Sequence, residues 1–133
     1  MKIIIPLPPR TKKNSQQIVR AGKRLIIVPS KVYKAYEKAC GPYLEPLGID
    51  YPVNVKATYF MPTHRRVDLI NLHEALHDIL VTHGVLADDN CRIVVSTDGS
   101  RVEYDKDNPR TEVEIERREE GDGTDINVAT TTR

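Results

Sequence analysis

The spacing of apolar and polar residues along the chain predicts a mixture of strands and helices. Residues 2–5 form a short apolar run that ends at Pro6, which is typical of a buried strand. Between residues 17 and 28, two β-branched runs flank Gly22, and this pattern predicts a hairpin. Alternating or β-branched runs predict further strands over residues 51–61, 91–97 and 110–116.

Two helices are predicted between these strands. Ser30 has the character of an N-cap for a helix over residues 31–45, in which apolar residues recur at helical spacing. Those apolar residues are Val32, Ala35, Tyr36 and Ala39. A second amphipathic helix follows Asp68, runs to about His83 and ends at Gly84, a residue favoured at helix C-termini.

This order of elements predicts an α+β (mixed α/β) fold, in which a small mixed sheet packs on two main helices. A chain of 133 residues is long enough for one compact domain and too short for two. We expect that domain to cover residues 1–117. Residues 118–133 lack apolar periodicity and are predicted to form a mobile C-terminal tail.

Composition limits the class of protein. Hydrophobic residues make up 39% of the chain and charged residues 29%, which is ordinary for a soluble protein. No apolar run approaches the ~20 residues needed to cross a bilayer, and the first apolar run is too short for a signal peptide. Cys40 and Cys91 lie far apart without metal-type spacing, so we expect reduced thiols and a cytoplasmic protein.

The net charge of +1 conceals a strong asymmetry along the chain. Residues 1–40 carry ten Lys and Arg against one acid, a net charge of +9, and the remainder carries ten basic and eighteen acidic residues, a net charge of −8. Such a division indicates either a protein that binds a polyanion through its basic part or two solvated faces that neutralise each other. Charge alone leaves both interpretations open.

The acids of residues 68–90 form two groups separated by one helix. Asp68 precedes the second helix, and Glu74 and Asp78 fall within about 60° of Asn71 around it. The second group, Asp88 and Asp89, precedes the next strand. Two groups of oxygen ligands that meet at one point are typical of a site for Mg²⁺ or Mn²⁺. The alternative is an acidic helix surface followed by an acidic turn.

The same helix contains the zinc-hydrolase pattern H-E-x-x-H over residues 73–77. Histidines at positions i and i+4 share a helix face and can bind zinc, but a third ligand is also needed. His83 follows too closely on the same helix to provide it, which leaves Asp88 or another downstream acid, and a pattern of only five residues arises easily by chance. We therefore interpret His73 and His77 as exposed helix residues and keep a zinc hydrolase as an alternative.

Four segments together resemble the RusA family of Holliday junction resolvases, which are small metal-dependent DNA endonucleases. The likeness covers about residues 1–116 and is carried by P-L-P-P-R-T-K-K-N, V-D-L-I-N-L, A-L-H-D-I-L and G-V-L-A-D-D-N. The resemblance implies a homodimer of mixed α/β fold that binds four-way DNA junctions and cuts two strands symmetrically.

The resemblance also implies roles for individual residues. Asp68 matches the family's first catalytic aspartate, Asn71 its asparagine and Asp89 its late aspartate. The family pattern is close to D-L-D-N-L-x-K, whereas this chain reads D-L-I-N-L-H-E. Ile70 therefore replaces a carboxylate and Glu74 replaces a lysine expected to assist catalysis. Our hypothesis is that Glu74 restores the missing carboxylate.

The predicted function is that of a divalent-metal-dependent endodeoxyribonuclease that cuts branched DNA in recombination and repair. The alternative is a weakened module that binds branched DNA without cutting it.

We expect Asp68, Glu74 and Asp89 to be catalytic and to bind Mg²⁺ or Mn²⁺ with Asp88, supported by Asn71 and Asp78. The predicted DNA-binding residues are Arg10, Lys12, Lys13, Asn14, Arg65 and Arg66, with Arg20, Lys23 and Arg24 on the hairpin. Because the chain has only seven aromatic residues, recognition of DNA shape is expected to outweigh base stacking.

Overall fold

The computed structural model describes residues 1–12 and 16–118 of the chain. Its two helices are α1 (Lys31–Cys40) and α2 (Leu69–Thr82), and a short 3₁₀ turn, Gly41–Tyr43, follows α1. Its strands are β1 (Lys2–Ile5), β2 (Gln16–Ala21), β3 (Arg24–Pro29), β4 (Val53–Met61), β5 (Val94–Ser96), β6 (Arg101–Tyr104) and β7 (Arg110–Arg117).

Strand β4 is the centre of a mixed five-stranded sheet. The sheet order is β1-β7-β4-β5, and β6 also pairs with β4. Strand β7 is antiparallel to β1 and β4, whereas β5 and β6 run parallel to β4. The fold is therefore a single α+β domain, as the element order predicted. Strand β6 was not predicted: its four residues, R-V-E-Y, alternate between polar and apolar over too short a stretch to stand out, and all four are exposed.

Helix α1 begins where the sequence predicted and ends earlier. The Ser30 side chain accepts a hydrogen bond of 3.2 Å from the backbone N–H of Tyr33, which confirms the N-cap. The helix ends at Cys40 because Gly41 and Pro42 turn the chain into the 3₁₀ segment. The predicted apolar face was also wrong in part: the buried residues are Tyr33, Tyr36 and Cys40, whereas Val32, Ala35 and Ala39 are exposed.

Helix α2 packs on the sheet through one apolar face, as predicted. Its buried residues are Leu72, Ala75, Leu76, Ile79 and Leu80. At its C-terminus Gly84 adopts a φ of 77°, and the N–H of Val85 donates to the carbonyl of Leu80 at 2.8 Å. This left-handed turn ends the helix and directs the chain back into the core at Val85 and Leu86, which are both buried.

The predicted hairpin is present as β2 and β3, which form a separate two-stranded sheet. Within the described part of the chain, neither strand pairs with the main sheet. Helices in the described ranges are all too short or too polar to span a bilayer. The predicted tail falls outside the described residues from position 119 onward, so its mobility and the domain boundary at 117 stay predictions.

Candidate active site and nucleic-acid interface

Asp68 occupies the N-cap position of α2, and its side chain is exposed. The carboxylate makes no hydrogen bond to the helix N–H groups. It accepts instead a 3.4 Å hydrogen bond from the side-chain amide of Asn71, one turn along the helix. Because no described cation forms an ion pair with Asp68, its oxygens stay open to an external ligand.

The second acidic group lies in the turn between α2 and β5. Asp88 organises this turn, since its carboxylate accepts a 2.7 Å hydrogen bond from the N–H of Asp89 and a 3.1 Å bond from the side chain of Asn90. Burial lowers the pKa of His77, and the nearby charge of Asp89 opposes that shift. The turn therefore brings Asp89 within electrostatic reach of α2 at His77.

Asp78 is engaged by the N-terminal basic loop. The Lys12 ammonium forms an ion pair with the Asp78 carboxylate, and this hydrogen bond is the main reason why the pKa of Lys12 is raised. The charge of Glu74 adds to the same shift, which places the exposed Glu74 near Lys12. The structure thus brings together Lys12, a predicted DNA contact, and Asp78, a predicted supporting acid, and each neutralises the other.

The remaining acids have the chemistry that a hard divalent cation prefers. The carboxylates of Asp68, Glu74, Asp88 and Asp89 are exposed, and none of them forms an ion pair with a described residue. Across residues 1–12 and 16–118, however, no three His, Cys, Asp or Glu side chains converge closely enough to hold a metal ion. Mg²⁺ is commonly bound by one or two carboxylates together with substrate phosphates. The donor set therefore fits an ion shared with a phosphate, and does not form a preassembled protein cage.

The prediction that His73 and His77 are exposed was wrong. Both side chains are half-buried, and their rings stack with centroids 5.4 Å apart and planes inclined by 8°. The hydroxyl of Tyr59 and Nδ1 of His73 share a hydrogen bond of 2.7 Å. Burial lowers the pKa of His73 to about 4, so both rings are neutral at pH 7.

The zinc alternative gains no support from this arrangement. His73 uses Nδ1 to bind Tyr59, and no third zinc ligand joins the two histidines among the described side chains. His83 lies elsewhere: its Nε2 pairs with the carbonyl of Glu37 at 2.8 Å. Its ring also lies so close to Gly41 that a Cβ there would come within 3.0 Å of Cε1. His83 therefore connects the two helices.

The predicted DNA-binding cations occupy two places. Arg65 and Arg66 are exposed in the turn between β4 and α2, where only Val67 separates them from Asp68. Arg10 is exposed in the proline-rich loop after β1, whereas Lys13 and Asn14 lie outside the described residues. The turn thus places two positive charges directly beside the first acid of the candidate site.

A cleft at the end of strands β4 and β6 was missed by the sequence analysis. It has a volume of about 360 Å³ and is lined partly by His64, Arg65, Arg66 and Tyr104. The rings of His64 and Tyr104 stack with centroids 3.8 Å apart and planes inclined by 23°. Because β6 was not predicted, no pattern in the sequence related residue 104 to residue 64.

Comparison with known proteins identifies the family. Residues 6–116 match the family model described as "Endodeoxyribonuclease RusA", and this range contains both acidic groups and the arginine turn. No curated protein matches the sequence significantly. The family implies a nuclease that acts on branched DNA junctions. Because the match covers most of its length, the chain belongs to the RusA endodeoxyribonuclease family.

Proposed function

We propose that the protein is a divalent-metal-dependent endodeoxyribonuclease that resolves four-way DNA junctions in recombination and repair. The observation that carries this proposal is the family match, which spans residues 6–116 and includes Asp68 and Asp89. The exposed, unpaired state of these two carboxylates supports it, since a metal that binds at the DNA must be reached from solvent.

In this proposal Asp68, Glu74 and Asp89 would hold Mg²⁺ or Mn²⁺ together with a DNA phosphate. Because these side chains do not converge within the described structure, they would close on the ion only when the ion and the DNA are bound. The bound ion would promote loss of a proton from water and offset negative charge on the phosphate under attack, so that the phosphodiester is hydrolysed. Asn71 positions Asp68 through their hydrogen bond, and Asp88 holds the turn that presents Asp89.

The two departures from the family pattern lie on one side of α2. Residues 70 and 74 are four positions apart and are therefore neighbours on the helix surface. Ile70 is 79% exposed, so the helix does not need an apolar residue there for packing. Glu74 is exposed one turn further along, where a carboxylate can replace the one absent at position 70.

DNA binding is assigned to the exposed cations near these acids. Arg65 and Arg66 would contact phosphates at the cut site, and Arg10 would contact the DNA backbone further away. Lys13 and Asn14, outside the described residues, are retained as predicted DNA contacts. Phosphate contacts of this kind make affinity strongly dependent on salt. The hairpin tip adds Lys23 and Arg24, which are both exposed.

We further propose that the protein is a cytoplasmic homodimer. The exposed side chains of Ile18, Leu25 and Ile27 lie on one face of the hairpin, because Ile18 pairs with Ile27 and Arg20 pairs with Leu25. An isolated two-stranded sheet is marginally stable, and an exposed apolar face commonly marks an interface. A second copy presenting the same face would cover it in a symmetric dimer. Both cysteines are free, which fits a reducing compartment.

The proposal is tested by incubating the protein with a synthetic four-way junction and Mg²⁺ or Mn²⁺. We expect paired nicks in opposing strands, and we expect Asp68→Asn and Asp89→Asn each to lower the rate by at least about 100-fold while junction binding persists. Asp50→Asn, which changes an exposed acid outside the candidate site, serves as the matched control. Full activity in either active-site variant would refute the assignment.

The same assay separates the alternatives. A protein that only binds branched DNA would shift the junction in a gel without nicking it at any metal concentration. A zinc hydrolase would be purified with bound zinc and would lose activity after His73→Ala.

A further inference from the structure

The cleft beside the arginine turn contains an exposed aromatic surface. Tyr104 ends strand β6, and His64 lies in the turn after β4. Tyr104 keeps 43% of its surface exposed although it stacks on His64, and His64 is also exposed. The two stacked rings, which we call the Tyr104–His64 platform, therefore both remain accessible from solvent.

The backbone holds Tyr104 firmly in this position. Residues 58–61 of β4 pair in register with residues 101–104 of β6, so Tyr104 lies opposite Met61. The N–H of Asp105 then donates to the carbonyl of Met61 at 2.9 Å, and the Asp105 carboxylate pairs with Arg110 at 2.9 Å. The strand fixes the backbone at Tyr104 and the His64 ring restrains its side chain, so little conformational entropy is lost when a flat ligand stacks there.

The charge of the cleft favours an anion near this platform. Glu103 is the one acidic residue that lines it, and Arg101 binds that carboxylate at 2.6 Å. Neither Arg65 nor Arg66 forms an ion pair with any described carboxylate. The cleft therefore combines a flat aromatic surface with two uncompensated guanidinium groups, a combination suited to a base together with its phosphate.

The cleft is also close to the candidate catalytic acids along the chain. Val67 lines it, and the next residue is Asp68, the N-cap of α2. A volume of about 360 Å³ falls within the ~300–1,000 Å³ typical of small-ligand pockets. A nucleotide bound in the cleft would therefore lie near Asp68, close to the DNA phosphate that the candidate acids would hold through the metal.

We propose that this cleft binds one unpaired nucleobase extruded from the branch point of the DNA, stacked on the Tyr104–His64 platform. Arg65 and Arg66 contact its flanking phosphates. This inference rests on the proposed function and adds a means of recognising the junction: a base is free to leave the stack at a branch point at lower cost than in a continuous duplex.

The test compares the affinity of the full chain for two junctions in EDTA, which prevents cleavage by a metal-dependent enzyme. One junction carries all its bases, and in the other the nucleotides at the branch point are abasic. Stacking on a single aromatic residue corresponds to about 5- to 160-fold in affinity. We expect the wild-type protein to prefer the complete junction by a factor in this range.

Substitutions of the two rings test whether the preference for the complete junction depends on the Tyr104–His64 platform. Tyr104→Ala and His64→Ala should each reduce the preference toward unity, whereas Tyr104→Phe should retain it because the ring remains. Tyr43→Ala is the matched control, since Tyr43 is 45% exposed and lies in the 3₁₀ turn outside the cleft.

Two negative results have different meanings. Equal wild-type affinity for both junctions, or a preference unchanged in Tyr104→Ala and His64→Ala, would overturn the nucleobase site and leave the nuclease proposal intact. If the protein bound neither junction and cut neither in Mg²⁺, both proposals would be overturned.

Discussion

The hydroxyl of Tyr59 lies 2.7 Å from Nδ1 of His73, and this hydrogen bond connects the central strand of the sheet to the helix that carries the acids. Tyr59 is almost fully buried, and burial raises the pKa of its hydroxyl. The ring of His77 stacks on that of His73. The hydrogen bond between the neutral side chains of Tyr59 and His73 therefore helps to position α2 on β4. The same helix carries Asp68 at its N-cap and Glu74 on its surface.

This arrangement predicts that stability falls as the pH is lowered from 6.5 toward 4. The ordinary pKa of histidine is 6.5, and burial lowers that of folded His73 to about 4. Below pH 6.5 the unfolded chain takes up a proton that the folded chain resists, so protonation favours unfolding across that window. Burial lowers the pKa of His77 as well, which acts in the same direction.

Urea denaturation at pH 7.5 and pH 5 measures the effect. The free energy of unfolding should be lower at pH 5, and in His73→Gln the difference between the two pH values should shrink. An identical difference in His73→Gln would contradict the prediction.

Restoring the carboxylate at position 70 should increase activity. Ile70 is 79% exposed, so Ile70→Asp should change the free energy of unfolding by less than about 1 kcal/mol. The added acid would provide a further oxygen ligand close to Asp68, so we expect a higher cleavage rate and half-maximal activity at a lower Mg²⁺ concentration. Cleavage rates over a Mg²⁺ titration test this, with Ile70→Asn as the polar, uncharged control. A rate unchanged in Ile70→Asp would indicate that Glu74 already meets the need for ligands.

Some of the fold and site was accessible from the sequence because it depends on local patterns. Ser30, Gly84 and the alternation of β4 mark their elements through capping and periodicity, which act over a few residues. Two other features depend on tertiary contacts. Strand β6 is exposed and forms by pairing with β4, and His73 is partly buried because it packs against Tyr59 of β4. Helical spacing alone placed His73 and His77 at a polar edge and gave no sign of the Tyr59 hydroxyl.

The two kinds of cation near α2 should contribute differently to DNA binding. Lys12 is neutralised by Asp78, whereas Arg66 has no described carboxylate partner. Removing one phosphate contact should reduce the slope of log affinity against log salt by about 1. We therefore expect this reduction in Arg66→Gln and a smaller one in Lys12→Gln. Junction affinity measured at several salt concentrations decides, and equal slopes in both variants would contradict the role given to the Lys12–Asp78 pair.

The hairpin face should control dimerisation. Ile18 and Ile27 pair across β2 and β3, and each is more than half exposed in a single chain. If a second copy covers this face, Ile18→Ser and Ile27→Ser together remove apolar area from both sides of the interface at once, because a two-fold interface repeats each change. We expect the double variant to sediment as a monomer at concentrations where the wild type is a dimer, and to cut one strand of a junction without the paired second cut. Val95→Ser, at an exposed apolar position of β5, is the matched control and should leave the mass unchanged. A double variant that keeps the mass of the wild-type dimer would place the contact on another surface.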